Sequence, residues 1–176
     1  LLGAAVRPGA DELWVSNTEA LNLVRFEPEL NGHFSLNRLS VVDLTSGTVQ
    51  ARDLNSGIDY GVLPNPAAQD TALAQPGALV FSADGAVVWT AAFASDRLAK
   101  VDAATGAVLE RVEVRTGGGD SAEMRGPRGL ALDENAGRLY VLNKLSETVS
   151  VIDVDAAVPT VLAEVDLSSH EPLPAQ

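Results

Sequence analysis

Two stretches of this chain are near-copies of one another, and that repetition narrows the folds open to it more than any overall total does. The segments "PGALVFSADGAVVWTAAFASDRLAKVDAATGAVLERVEV" (76–114) and "PRGLALDENAGRLYVLNKLSETVSVIDVDAAVPTVLAEVDL" (127–167) align at a constant spacing. Pro76 and Pro127, Trp89 and Tyr140, and Asp102 and Asp153 each stand 51 residues apart. A third, looser copy opens at "LGAAVRPGADELWVSN" (2–17) and resumes, past an insertion, at "NRLSVVDLTSGTVQARDL" (37–54). There Trp14 matches Trp89, and Asp43 matches Asp102.

Each copy reads as four short strands, which in the last copy fall at about 129–132, 138–143, 148–153 and 161–167. The runs are rich in Val, Leu, Ile and aromatics, and turn residues bound them: "RPGAD", "SADG" and "DENAG" at the first turn, "LTSG" and "AATG" at the third. The strands are apolar on both sides, which suits a sheet sandwiched between neighbouring sheets better than one with a wet face. Four-stranded sheets recurring every 40–50 residues are the mark of a β-propeller. The expected fold is therefore all-β: three four-stranded antiparallel blades, at about 1–56, 75–115 and 126–167, within a larger ring of about 6–8 blades. The tail 168–176, "SSHEPLPAQ", reads as a linker toward a following domain. Three blades are too few to close a ring, and open terminal blades leave apolar faces unburied. The expected partners are the remaining blades, from the same protein or from another copy.

The pieces "WVSN" (14–17), "YVLN" (140–143) and "TVSVID" (148–153), with the turn "SADG" (82–85), resemble the YVTN-type repeats of bacterial β-propellers. The resemblance covers most of 2–167 and is closest in the last copy; in the second, "WTAA" (89–92) has lost the Asn. It implies a propeller, commonly in an extracytoplasmic bacterial protein, and so a periplasmic or extracellular location. It implies no single activity, because the fold carries binding modules and redox enzymes alike.

The totals exclude several classes. Lys and Arg number 12 against 24 Asp and Glu, a net charge of −12. Such a surface repels phosphate backbones, so nucleic acid is not an expected partner. No Cys is present, which removes disulfides, thiolate nucleophiles, Cys-ligated zinc and covalently held c-type haem from this chain. No apolar run is long enough to span a bilayer. The opening "LLGAAVRPG" lacks a basic stretch followed by a long apolar one, so a signal peptide is expected to be absent or already removed.

Asp43, Asp102 and Asp153 recur at the end of the third strand, where a short carboxylate accepts backbone N–H bonds two residues on. Their expected duty is structural, and no catalytic or metal-ligating residue is assigned. In a four-stranded meander the first and third turns share one end, while the second turn and the connection onward share the other. The first group is short throughout. The long segments 18–36, 55–74 and 116–126 all fall in the second group, which makes that end the candidate binding face.

Candidates there are His33, Tyr60, Asp70, Asp120, Arg125, Arg128 and Lys144. His33 is either a metal or haem-iron ligand or a solvated loop residue. Arg125 and Arg128 either attract an anion at the channel mouth or pair with Asp120 or Glu123. "TGGGD" (116–120) lacks the spacing of a phosphate loop and reads as a flexible connection. The only other histidine is His170, and with no G-x-S-x-G a catalytic triad is not expected. Trp14, Trp89 and Tyr140 read as packing groups between blades.

The leading expectation is a non-catalytic module that holds a protein or small-molecule partner on the loop-rich face. No cofactor is expected in this chain. The alternative is the propeller part of an extracytoplasmic redox assembly, with haem in a neighbouring c-type cytochrome domain or partner. A propeller-type hydrolase or lactonase with acids around a central metal ranks third, because the repeated acids already have turn duties.

Overall fold

A computed structural model describes residues 3–22, 33–115 and 123–168. It contains twelve strands in three antiparallel sheets of four, each a plain meander. The first sheet holds β1 (Gly3–Val6), β2 (Glu12–Ala20), β3 (Ser35–Asp43) and β4 (Val49–Asp53). The second holds β5 (Pro76–Phe81), β6 (Val87–Ala92), β7 (Arg97–Asp102) and β8 (Val108–Glu113). The third holds β9 (Pro127–Asp133), β10 (Arg138–Asn143), β11 (Thr148–Asp153) and β12 (Thr160–Asp166). These are three successive blades, here A, B and C. Their first strands β1, β5 and β9 lie side by side along one edge of the stack.

In blade C the middle strands coincide with the runs expected at 138–143 and 148–153, and the outer two run to Pro127–Asp133 and Thr160–Asp166. The insertion in blade A is narrower than 18–36. β2 and β3 stay paired out to Ala20 opposite Ser35, and Leu21 N donates to Phe34 O at 2.9 Å. The polar residues Thr18, Glu19 and Asn37 are carried by the backbone ladder, which needs no apolar face at the tip of a hairpin. The connection from blade A to blade B contains a six-residue helix, α1 (Pro66–Thr71), where only a loop was expected. Asn65 caps it by accepting from Ala68 N at 3.0 Å, and Pro66 takes the first position, where its missing N–H has no bond to lose.

The recurring aspartates build the third turns. Asp43 Oδ1 accepts from Thr45 N, Ser46 N and Ser46 Oγ at 3.0, 2.6 and 2.9 Å. Asp102 Oδ1 accepts from Ala104 N, Thr105 N and Thr105 Oγ1 at 3.1, 2.7 and 2.7 Å. Asp153 Oδ1 accepts from Asp155 N at 3.1 Å and faces Arg138 Nη1 at 3.2 Å. In the first two turns a glycine at φ of 73° or 78° closes the loop, Gly47 or Gly106, which a side chain would strain. The Ser46 amide and hydroxyl pull the Asp43 carboxyl below its ordinary range, and the Thr105 hydroxyl and amide do the same for Asp102.

Blades pack face to face. Trp14, Leu39 and Val41 of blade A meet Val88, Ala92, Ala99 and Val101 of blade B. The Trp14 ring meets Phe81 edge-on, with centroids 5.6 Å apart. Trp89, Ala91, Leu98 and Val112 on the other side of blade B meet Leu139, Val141 and Ile152 of blade C. The second-strand aromatic thus faces the following blade each time. Trp14 and Trp89 are 0% and 3% exposed, whereas Tyr140, with no blade after it here, is 39% exposed.

Tyr140 with its cross-strand partners Ala131 and Val151, and the neighbouring pair Leu142 and Val149, form an uncovered apolar face. The opposite face of blade A carries Val6, Leu13, Val42 and Val49 in one row, and Val6 and Val49 are both 60% exposed. No helix among the described residues is long and apolar enough to cross a membrane.

Candidate functional site

At the short-turn end the acids and bases tie blades together. Arg7 Nε donates to Gly85 O at 2.8 Å and its Nη1 reaches Glu12 Oε2 at 3.1 Å. The same Glu12 oxygen accepts the Trp14 indole N–H at 3.0 Å. That bond, with the Arg7 guanidinium, draws the Glu12 carboxyl below its ordinary value against the opposing effect of burial.

At the other end the described residues come chiefly from the A–B connection. Asn55, 3% exposed, grips the far end of its own connection: its Nδ2 donates to Leu73 O at 2.8 Å and its Oδ1 accepts from Leu73 N at 2.9 Å. This clamp closes residues 55–73 into a compact loop and seats Leu54 and Leu73 in the A–B core. The loop then packs on the stem of the β2–β3 hairpin. His33 and Tyr60 stack with centroids 3.5 Å apart and planes 2° from parallel. Together they wall a cleft of about 390 Å³, whose apolar surface includes Ile58, Val62, Leu63 and Ala68. Burial raises the Tyr60 phenol above its ordinary value, and the nearby charge of Asp53 adds to the rise.

A second cleft of about 310 Å³ lies beside it, lined by Gln69, Ala72, Asp96, Arg97, Arg115 and Met124. Asp96 is its fixed point. This residue is 2% exposed and left-handed at φ 50°, and its carboxylate accepts from Arg125 N at 3.0 Å and Gly126 N at 2.8 Å. Arg115 Nε stands 3.7 Å from it and 2.9 Å from Glu113. Arg97 lies 3.5 Å from Glu113 and donates to Gln69 O and Ala72 O. These guanidinium groups brace the A–B and B–C connections.

Of the candidates read from sequence, the structure brings His33 and Tyr60 together. Asp70 is exposed on α1 and lies outside the lining of both clefts. Arg125 forms an ion pair with Glu164 of β12 at 2.7 Å, stands 4.0 Å from the Glu123 carboxylate expected from sequence, and donates to Glu123 O at 2.8 Å. Arg128 is exposed on β9, the inner strand of blade C. Lys144 is exposed at the β10–β11 turn, which is tied to Gly126 O through its backbone N–H. Asp120 and most of the segment 116–126 lie outside the described residues, as does His170. Asp96, Arg97, Arg115 and Asn55 were not singled out in sequence. The one local signal was an Asp-Arg pair at the second turn of blade B, a common surface motif. Among the described residues, no three His, Asp or Glu side chains are grouped to hold a metal ion.

The three stacked meanders, with their inner strands adjacent, define a run of consecutive blades from a β-propeller. The chain belongs to the family described as lactonase, 7-bladed beta-propeller, whose model matches residues 29–172. Among solved structures, the Kuenenia stuttgartiensis hydrazine synthase is similar over 88% of this chain and 45% of its own, at 16% identity and a TM-score of 0.61. A putative 6-phosphogluconolactonase from Bacteroides uniformis is similar over 94% of this chain and 42% of its own, at 18% identity and a TM-score of 0.56. A mitotic checkpoint complex structure aligns over 96% of this chain and 37% of its own, at 13% identity and a TM-score of 0.57. At these identities the likeness is one of fold, and the chain spans less than half of each match. Comparison with curated proteins gives no match.

Proposed function

We propose that this chain is a binding module whose loop-rich end holds a partner, and whose two uncovered blade faces are covered by further blades of the same ring. The observation that carries the first part is the segregation of the two ends. The short-turn acids are committed to turns and blade ties, while His33 and Phe34 at the start of β3 and the A–B connection wall an open cleft of about 390 Å³. The apolar rows around Tyr140 and around Val15 support the second part. We read the repeats as YVTN-type and the setting as extracytoplasmic.

Replacing residues 22–33 by a two-residue turn tests the binding role. That cut spares the β2–β3 pairing at Ala20 and Ser35. Chemical cross-linking in the native host should then lose the partner adduct while circular dichroism stays that of the parent. An unchanged adduct would remove the loop-rich end from the function.

A lactone-hydrolysing role is favoured by the family's description alone. Turnover of a lactone by the complete ring, abolished by chelation, would replace the binding reading. Haem in a neighbouring domain belongs to the redox alternative, which a haem-staining band co-purifying with the native protein would support.

A further inference from the structure

The joint between one blade and the next is built twice in the same way at the loop-rich end, and a third time only in part. Six residues before the recurring aspartates Asp43, Asp102 and Asp153 stand Asn37, Asp96 and Glu147. Each takes the exit of its own blade on its backbone carbonyl. Leu54 N donates to Asn37 O at 3.0 Å, Val114 N to Asp96 O at 2.9 Å, and Leu167 N to Glu147 O at 2.9 Å. The first two also use their side chains, on the entry to the following blade. Asn37 Oδ1 accepts from Gln75 N at 2.9 Å, and the Asp96 carboxylate accepts from Arg125 N and Gly126 N. In both joints one residue held stands directly before the proline that opens the first strand, Pro76 or Pro127. That residue is at positive φ, 54° for Gln75 and 62° for Gly126, and Gln75 is exposed, so the step tolerates a side chain.

Glu147 repeats this arrangement as far as the described residues go. It lies 51 positions after Asp96, shares its left-handed backbone, at φ 55° against 50°, and is exposed. The exit residues show the same interruption: Leu54 and Val114 are 1% and 0% exposed, whereas Leu167 is 55% exposed. A carboxylate is matched to backbone N–H donors, with which it forms charge-assisted bonds. Beyond Leu167 the sequence reads "SSHEPLPAQ", and Pro172 is preceded by two residues that both carry an N–H, His170 and Glu171. Before Pro174 the second donor is missing, because Pro172 has none. Ser168 N already donates to Asp166 Oδ1 at 2.7 Å, and only Ser168 and Ser169 separate Leu167, bound at Glu147, from His170.

We propose that the Glu147 carboxylate clasps the backbone N–H groups of His170 and Glu171, so that Pro172 opens the first strand of the blade that covers Tyr140. The inference rests on the reading that further blades cover the two faces, and adds the chemistry that seats the next one. Amide hydrogen exchange by NMR on this chain tests it, with a synthetic peptide of residues 168–176 as the free reference. The His170 and Glu171 amides should exchange about tenfold more slowly in the protein than in the peptide, which corresponds to about 1.4 kcal/mol. Glu147→Ala should remove that protection. Glu147→Asp supplies the residue that blade B uses and should keep it. The Arg125 and Gly126 amides, held by Asp96, should be unchanged in both variants and report that each is folded.

Exchange at the peptide's rate, protection that survives Glu147→Ala, or protection at Leu173 in place of His170 and Glu171 would each overturn the proposal. Whether a blade covers Tyr140 is read separately, by tyrosine nitration of the protein isolated from its host. A shielded Tyr140 together with unprotected His170 and Glu171 would leave the covering blade and remove the clasp. The opposite pair would leave the clasp and remove the blade.

Discussion

Asp96→Ala probes the joint between blades B and C at the loop-rich end. In the native structure the Asp96 carboxylate is the acceptor for two backbone donors, Arg125 N at 3.0 Å and Gly126 N at 2.8 Å, in a site where the residue is 2% exposed. Truncation leaves both N–H groups without that acceptor, and each costs about 1–3 kcal/mol when water cannot reach it. The backbone at φ 50°, ψ 39° adds about 1 kcal/mol for alanine, which tolerates the left-handed region poorly. Arg115 keeps Glu113 at 2.9 Å and loses only its longer approach of 3.7 Å. The sum is a loss of about 3–7 kcal/mol, a large share of an ordinary domain's stability of about 5–15 kcal/mol. Urea unfolding measures the total. Hydrogen exchange locates it, since the Arg125 and Gly126 amides should lose protection while the β6–β7 ladder keeps its own. Asp96→Gly loses the same carboxylate but not the backbone strain, and should be about 1 kcal/mol more stable than Asp96→Ala. A change under about 1 kcal/mol with both amides still protected would show that the carboxylate does not hold the joint.

Three further outcomes follow from the blade interfaces. Thr90 Oγ1 is buried without a partner, and the equivalent positions in the other blades are Val15 and Val141; Thr90→Val should raise stability by about 1 kcal/mol, and a loss in urea unfolding would contradict the reading. Trp14→Ala and Trp89→Ala should each cost about 3–5 kcal/mol, while Tyr140→Ala, at the uncovered face of this chain, should cost about 1 kcal/mol, and equal losses at all three would refute face-to-face stacking as the source of burial. Glu12 has a folded-state pKa held below its ordinary value, so its contribution is present above about pH 4.5 and fades as pH falls through the folded value; the stability gap between the parent and Glu12→Gln should close on acidification, and a gap independent of pH would contradict it.

The repeat made the strand architecture legible because local chemistry sets it. The runs bounded by Gly137 and Asn143 and by Thr148 and Asp153 are short, apolar and punctuated, so their limits fall where the turns must. The hairpin stem at Thr18–Ala20 and Ser35–Asn37 was not legible, since its pairing rests on backbone bonds between polar residues. The helix α1 had a readable start in Asn65-Pro66, the pair that also opens turns. The site was less accessible still. His33 and Tyr60 stand in separate segments, and only the β2–β3 hairpin lying beside the A–B connection stacks them. Asp96 is a surface-type residue by its neighbours in sequence, and the contacts that hold it come from Arg125 and Gly126, just before β9.

The blade faces carry their own evidence of what they are made to meet. In blade C, Asn143 on the second strand donates to Ser150 on the third at 2.8 Å, both are fully buried, and Ser150 in turn donates to Val114 O at the exit of blade B. In blade B the two equivalent positions are Ala92 and Ala99, and there Leu54 and Leu73 from the A–B connection occupy the joint. The pair is thus replaced as a unit, polar against a neighbour's carbonyl and apolar against a neighbour's leucines. This is how a buried hydrogen-bonded pair must change, because removing one member alone orphans the other. Blade A keeps the polar version, with Ser40 Oγ donating to Asn17 Oδ1 at 2.8 Å, and it keeps it on its uncovered side. A solvated sheet face has no need of such a pair beside Leu13, Val15 and Val42. We therefore read the outer side of blade A as a receiving face of the blade C kind, built to meet the backbone carbonyl and apolar wall of a blade that precedes it.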